Sequence, residues 1–125
     1  MSAEGMQVEV DRAKQEAFAG RLLAALNDGA LCLMVSVGHR TGLFDTMSES
    51  PPATWEELAA RAGLNERYVR EWLGAMTTAR VVNVDPATLR FSLPPEHGAL
   101  LRRAAGADNM AVFAQYVAVM GAVED

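Results

Sequence analysis

The 125-residue sequence contains little lysine, cysteine or histidine. Lys14 is its one lysine beside ten arginines, and sixteen acidic residues leave a formal net charge of -5 at pH 7. Polyphosphate repels such a chain on average, so a nucleic-acid site would have to be a local basic patch. Cys32 is the one cysteine and lies in an apolar run, which indicates a buried, inert thiol and a reducing compartment.

Long apolar runs and targeting signals are also missing. No stretch approaches the roughly 18 unbroken apolar residues of a membrane span, and the N-terminal "MSAEGMQVEVDRAK" is acidic where a signal peptide is basic. Half of the residues are hydrophobic, which suits one compact domain at this length. We therefore expect a soluble, cytoplasmic protein with a single folding unit and no membrane contact.

The residue patterns of common catalytic sites are absent from the sequence. His39, His97 and Cys32 lack the spacing of H-E-x-x-H or C-x-x-C metal sites, and Cys32 lies too deep in apolar sequence for a nucleophile. No G-x-G-x-G turn and no βαβ alternation, the signature of a Rossmann cofactor site, occurs. We predict no catalytic, cofactor-binding or metal-binding residue in this chain.

The first third of the chain is predicted to be helical. Apolar residues recur at three-to-four-residue spacing from Phe18 to Leu26, which is one helix face, and residues 27–29 should end that helix. The apolar run 30–37 is assigned to a separate buried helix, because no long β-run exists to pair with it. Residues 1–17 are expected to be irregular apart from the start of the first helix, and 38–47 to form a turn and a short helical piece.

The segment after "SESPP" carries the signals of a helix-turn-helix, predicted over residues 54–79. Thr54 and Glu57 form a capping box, Gly63 suits a left-handed helix end, and Asn65 is a good N-cap for the next helix. Two β-rich segments joined by a turn then predict a wing hairpin over 81–93. The expected fold class is mainly α with a small β-hairpin, a winged helix-turn-helix with flanking dimerisation helices.

Residues 108–125 are predicted to form a C-terminal helix that is apolar over most of its circumference. The sequence ends after it on two acids with no glycine cap, as expected of a helix that is cut short. A winged-helix/dimerisation domain over residues 18–125 has little surface to bury both this helix and the first, so both should seek a partner. The predicted dimer or domain interface residues are Phe18, Leu22, Leu26, Leu31, Met34, Met110, Phe113 and Val117.

The second helix of the motif is where a DNA-binding protein would read bases. Its outward face carries two acids and two arginines, predicted to pair as Glu66–Arg70 and Arg67–Glu71. The motif with its wing, residues 54–90, is neutral, with five acids and five arginines. DNA readers keep several basic side chains free, so we favour an interaction role over nucleic-acid binding. Under the alternative, a winged-helix DNA-binding transcriptional regulator, Arg67, Arg70 and Arg90 would contact DNA.

The phrases "LNDGALCLMVSVGHRTGLFD", "LNERYVREWL" and "LPPEHGALL" resemble the N-terminal winged-helix region of largely actinobacterial class I S-adenosylmethionine-dependent methyltransferases. Those proteins are often labelled transcriptional regulators because of this region, and the resemblance runs from Phe18 to the C-terminus. It implies a dimerisation and substrate-cover module that packs on a separate Rossmann-like catalytic domain. That domain is missing from this sequence, so the resemblance implies S-adenosylmethionine as the cofactor of the parent family and no activity of this chain alone.

The same resemblance places "GHRTGLF" near the acceptor pocket of a parent enzyme. His39, Arg40 and Phe44 are therefore candidates for the pocket rim, although an imidazole at a helix C-terminus also serves a structural role by bonding the last carbonyls. The implied partners are a second copy of the chain, as a homodimer, or a methyltransferase catalytic domain. A third possibility is an enzyme that is active only when its remaining part is supplied in trans.

Overall fold

The computed structural model describes residues 8–123, which form six helices and one β-hairpin. Two 3₁₀ turns, Arg103–Asp108 and Ala111–Phe113, lie before the last helix. The expected fold class, mainly α with a small hairpin in a winged helix, is confirmed. In chain order the elements are α1 (Arg12–Thr41), α2 (Leu43–Ser48), α3 (Trp55–Ala62), α4 (Glu66–Thr78), β1 (Asn83–Asp85), β2 (Arg90–Ser92), α5 (Pro95–Leu101) and α6 (Ala114–Val123).

The longest element, α1, is one continuous helix of 30 residues. Asp11 caps its start by accepting the backbone N–H of Ala13 at 3.0 Å, and it ends at Gly42, whose φ of 76° is left-handed. The prediction that residues 27–29 end the first helix is wrong. A single mid-helix glycine costs only about 1 kcal/mol, and the apolar residues after Gly29 are held against the core, so the helix continues through it. The predicted irregular N-terminus lies partly outside the described residues.

The helix-turn-helix consists of α3 and α4, with the predicted caps in place. The Thr54 hydroxyl accepts the backbone N–H of Glu57 at 3.3 Å, Gly63 is left-handed with φ 68°, and Asn65 accepts from Arg67 at 2.9 Å. The second half of the capping box is replaced, because the Glu57 carboxylate accepts from the Thr54 hydroxyl and from two arginine side chains. The start of α3 is therefore fixed by its hydroxyl cap and by ion pairs.

The wing is an antiparallel hairpin in which β1 and β2 pair with Val84 opposite Phe91. The first strand begins at Asn83, two residues later than the predicted Val81. Phe91 also exchanges two backbone hydrogen bonds with Ala53, at 2.7 and 3.1 Å, which ties the wing to the segment before α3. The hairpin is thus anchored to the helix-turn-helix.

The core lies where α2, α3, α4 and the C-terminal half of α1 meet. Trp72 packs edge-to-face on Phe44 with ring centroids 5.3 Å apart, and its indole N–H donates to the Met34 carbonyl at 2.9 Å. Gly38 of α1 sits against both rings, and a Cβ there would lie 2.6 Å from each. This close approach explains a glycine at position 38 and joins α1 to the helix-turn-helix.

The tail after the wing differs from the predicted single helix over residues 108–125. The α-helical part, α6, begins at Ala114, and irregular 3₁₀ turns occupy the residues before it. Gly106, just before the predicted start, has a positive φ of 63° and a ψ of −122° that no helix contains. The last two predicted helix residues, 124 and 125, lie outside the described residues.

By length and composition alone, α1 is apolar enough to cross a membrane. Helices that pack in protein cores or interfaces meet the same criterion. Arg21 and Asp28 lie within α1, and charged side chains are costly inside a bilayer. The C-terminal end of α1 also packs on the winged-helix core.

Candidate functional site

The main candidate surface is the N-terminal half of α1, which projects from the folded core. Every residue from 8 to 28 is exposed, including Phe18 at 57% and Leu26 at 63%. Leu31 and Met34, the next interface candidates along the helix, are half-buried and pack against the core. The predicted α1 interface residues are therefore divided between an uncovered part and a part that the winged helix covers incompletely.

A second exposed apolar surface lies on the tail. Met110, Phe113 and Tyr116 are each more than half exposed, and Val117 is also exposed. The rings of Phe113 and Tyr116 stack with centroids 6.5 Å apart. Exposed apolar areas of this kind are typical of contact surfaces.

The tail is held on α1 by a pair of side chains that the sequence did not single out as a contact. Ser36 is completely buried, and its hydroxyl donates to the Gln115 side-chain oxygen at 3.1 Å. The Gln115 amide donates back to the Ser36 carbonyl at 3.3 Å. Gln115 is the one polar residue within "MAVFAQYVAVM", which was a signal that this position has a buried partner.

An open groove of about 700 Å³ lies between α1 and α4. Its lining residues are largely apolar or small and include two acids, Asp28 and Glu71. No basic residue lines it. The lining residues are Asn27, Asp28, Ala30, Leu31, Met34, Glu71, Gly74, Ala75, Thr78 and Ala79.

The three candidates for an acceptor-pocket rim occupy different environments. Arg40 is exposed, His39 is half-buried, and Phe44 is 0% exposed in the core. Phe44 therefore offers no side-chain surface to a ligand in this chain. The Nδ1 atom of His39 is buried without a hydrogen-bond partner among the described residues, so this atom makes none of the carbonyl bonds considered for the imidazole.

Arg103 makes the contacts at the end of α1 that were considered for His39. Its guanidinium donates to the His39 carbonyl at 2.7 and 3.1 Å and to the Arg40 carbonyl at 3.2 Å. Its backbone N–H donates to Asp45 at 2.9 Å. A cation at a helix C-terminus bonds the free carbonyls and interacts favourably with the helix dipole. Sequence reasoning missed this contact because no local pattern links residue 103 to residue 39.

The arginines of the DNA-binding alternative are arranged differently from the prediction. Among the described residues the ion pairs are Arg61–Glu57 and Arg90–Glu57, so the predicted pairs Glu66–Arg70 and Arg67–Glu71 are wrong. Arg70 instead lies over the Trp55 ring, 5.1 Å from its centroid, because α3 brings this aromatic face within reach.

The wing arginine is also engaged within the chain. Arg90 donates to Glu57 at 3.2 Å and to the Pro52 carbonyl at 3.4 Å. Of the three candidate DNA contacts, Arg67 alone has neither an ion pair nor an aromatic contact within residues 8–123. One such arginine on a neutral motif provides little of the phosphate neutralisation on which DNA affinity depends.

No group of three or more His, Cys, Asp or Glu side chains within residues 8–123 is placed to hold a metal ion. The surfaces that stand out are apolar, and the fold that carries them is a winged-helix domain. Residues 29–103, more than half of the chain, match the family described as the Rv2258c-like winged HTH domain. The chain belongs to this Rv2258c-like family.

Three solved structures with a similar fold are two described as methyltransferases and one that contains SAH. The structure "PigF with SAH" is 17% identical with a TM-score of 0.64, and it covers 83% of this chain. The S-adenosylmethionine-dependent methyltransferase SibL is 23% identical with a TM-score of 0.61 over 77% of this chain. CalO1, a methyltransferase of calicheamicin biosynthesis in its SAH-bound form, is 30% identical with a TM-score of 0.52 over 75%.

This chain spans only 28%, 27% and 26% of the lengths of those three structures, respectively. The similarity falls on the N-terminal regions of methyltransferases, as the sequence resemblance implies. The search of curated proteins finds no match.

Proposed function

We propose that this chain is the dimerisation and substrate-cover module of an S-adenosylmethionine-dependent small-molecule methyltransferase, without catalytic activity of its own. The observation that carries the proposal is the exposed apolar face of α1 on a winged-helix domain of this family. Methyltransferases among the structural neighbours support the choice of parent enzyme. We place its action in the cytoplasm, with a second copy or a catalytic domain as partner.

Burial explains why this face requires a partner. Each fully covered leucine or phenylalanine is worth about 1.5–3 kcal/mol, so leaving Phe18, Leu22 and Leu26 in water forgoes several kcal/mol. Covering them against a second copy recovers that free energy. The tail surface around Phe113 and Tyr116 is a second area of the same character, available to a catalytic domain.

Within the proposed module, His39 and Arg40 remain the candidates for the acceptor-pocket rim. Both lie at the C-terminal end of α1, where their backbone carbonyls accept hydrogen bonds from the Arg103 side chain. A substrate cover needs polar groups on a rigid support, which the end of a long helix provides.

Light scattering after size-exclusion chromatography tests the association that this function requires. The expected result is a folded species of twice the 13.4 kDa chain mass at micromolar concentration. A well-folded species of single-chain mass under the same conditions would overturn the proposal.

One binding measurement separates this function from the DNA-binding alternative, and a second tests whether this chain holds a cofactor site. A DNA-binding regulator would show affinity for duplex DNA that falls steeply with salt in a fluorescence anisotropy titration, and we expect no such binding. An enzyme that is active only when its remaining part is supplied in trans would bind its cofactor on that other part, not on this chain. Calorimetry should therefore detect no binding of S-adenosylmethionine to this chain, and micromolar binding would contradict the assignment as a non-catalytic module.

A further inference from the structure

The apolar face of α1 contains one ridge at four-residue spacing that runs through Phe18, Leu22, Leu26, Ala30 and Met34. From Ala30 onward the ridge lies beside α4 and lines the groove between the two helices. Before Ala30 the ridge is exposed. One helix therefore carries an uncovered apolar ridge and, next to it, one wall of an apolar groove.

We propose that the groove between α1 and α4 receives the exposed ridge of α1 from a second copy of this chain. This inference rests on the proposed function and names the site at which two copies dock. If the two α1 helices run antiparallel with Phe18 opposite Met34, then Leu22 lies opposite Ala30, and Leu26 lies opposite the same residue of the other copy. Each copy then supplies one ridge and one groove, which is the self-complementary arrangement of a two-fold dimer.

The shape of the groove fits a helix with large apolar side chains. Gly74, Ala75 and Ala79 contribute small residues on the α4 side, and a Cβ at Gly74 would meet no atom within 4 Å. Small residues let another helix approach closely, and the volume of about 700 Å³ leaves room for side chains such as Phe18 and Leu22. An apolar helix face laid into a groove is a common mode of helix recognition.

The charges favour the same occupant. The groove carries Asp28 and Glu71 and no basic residue, whereas the exposed helix between residues 12 and 26 has three basic residues and one acid. In the antiparallel register Arg21 lies opposite Leu31, which shares the groove with Glu71. Complementary charges at the edge of an apolar contact fix its register and speed association.

A groove-filling substitution tests the site directly. Gly74→Leu places a side chain in the groove, whereas Gly74→Ala is a matched control that leaves the groove open. Both replace an exposed mid-helix glycine with a better helix former, so both should keep the fold in thermal unfolding. In sedimentation equilibrium we expect Gly74→Leu to raise the dimer dissociation constant by about tenfold or more, and Gly74→Ala to leave it nearly unchanged.

Charge reversal provides a second test that does not depend on filling space. Arg21→Glu and Glu71→Arg each place like charges together and should weaken the dimer by about threefold to tenfold. The double variant restores the opposite charges in exchanged positions, so it should dimerise more tightly than either single variant. Both residues are exposed, and neither contributes to the core.

The outcomes distinguish this inference from the proposed function. A wild-type dimer whose dissociation constant is unchanged by Gly74→Leu would overturn the docking site and leave the proposed function standing. A double charge variant no tighter than the single variants would overturn the antiparallel register. A wild-type chain that remains monomeric would overturn both the site and the proposed function.

Discussion

The two halves of α1 have a similar apolar composition but different surroundings. Between Gly38 and Thr41 the helix meets the Phe44 and Trp72 rings and the Arg103 guanidinium. Between Arg12 and Leu26 every residue is exposed. The contrast shows that apolar periodicity identifies an apolar face of a helix, whereas the neighbouring elements decide whether this chain covers it.

The largest expected effect is the difference in stability between a phenylalanine-to-alanine substitution in the core and the same substitution on the projecting half of α1. Phe44→Ala removes a fully buried ring and should lower the free energy of unfolding by about 3–5 kcal/mol. Phe18→Ala removes a ring that is mostly exposed, so the folded chain should lose little stability at concentrations where it is dissociated. Urea unfolding of both variants at low protein concentration makes the measurement. Equal losses would contradict the division of α1 into covered and uncovered halves.

A charge placed in the exposed ridge should disrupt association without unfolding the chain. Leu26→Asp buries a carboxylate in the proposed interface, and we expect it to weaken the dimer by at least about 2 kcal/mol. Leu89→Asp is the matched control, since Leu89 is an exposed leucine in the wing turn. Sedimentation measures both. A similar loss in the control would show that net charge, rather than the α1 surface, controls association.

Gly38 and Gly20 of α1 have opposite surroundings, so alanine substitutions at the two positions should change the free energy of unfolding in opposite directions. Gly38→Ala forces a methyl group into contact with two rings at 2.6 Å and should cost about 1–3 kcal/mol. Gly20→Ala meets no atom within 4 Å and should stabilise the helix by about 0.5–1 kcal/mol. Thermal unfolding compares the pair. A stabilising Gly38→Ala would be incompatible with the packing of α1 on the core.

The smallest expected effect is the loss of stability on removing the Arg103 side chain, which bonds the last carbonyls of α1. Arg103→Ala removes three hydrogen bonds to the last carbonyls of the helix and should cost about 1 kcal/mol. The neighbouring Arg102→Ala is the control, because the Arg102 side chain makes no hydrogen bond within the described residues. Chemical denaturation resolves the difference. Equal losses of unfolding free energy in the two variants would contradict the role of Arg103 in stabilising the end of α1.

Local signals predicted the helix-turn-helix because each acts within a few residues. Thr54, Gly63 and Asn65 satisfy or terminate backbone groups next to themselves, so the sequence alone defines α3 and α4. The end of α1 could not be predicted in this way. Its continuation past residue 29 depends on packing against elements distant in sequence, and the generic end signal "NDG" is overridden.

The candidate site was predictable in part for the same reason. Phe18, Leu22 and Leu26 are exposed on one face as periodicity indicates, whereas the division at Leu31 depends on where α4 packs. Side chains that bridge distant segments escaped prediction, as with Arg70 on Trp55 and Arg103 on the end of α1. Pairing rules for one helix could not foresee an aromatic partner on another.

The central claim is that association covers the projecting half of α1. Hydrogen exchange measured by mass spectrometry over a range of protein concentrations tests it most directly, because it reads each half of the helix separately. We predict that amide protection between Arg12 and Leu26 rises with concentration, while protection between Val35 and Thr41, outside the proposed contact, stays constant. Protection of residues 12–26 that does not change with concentration would contradict the account.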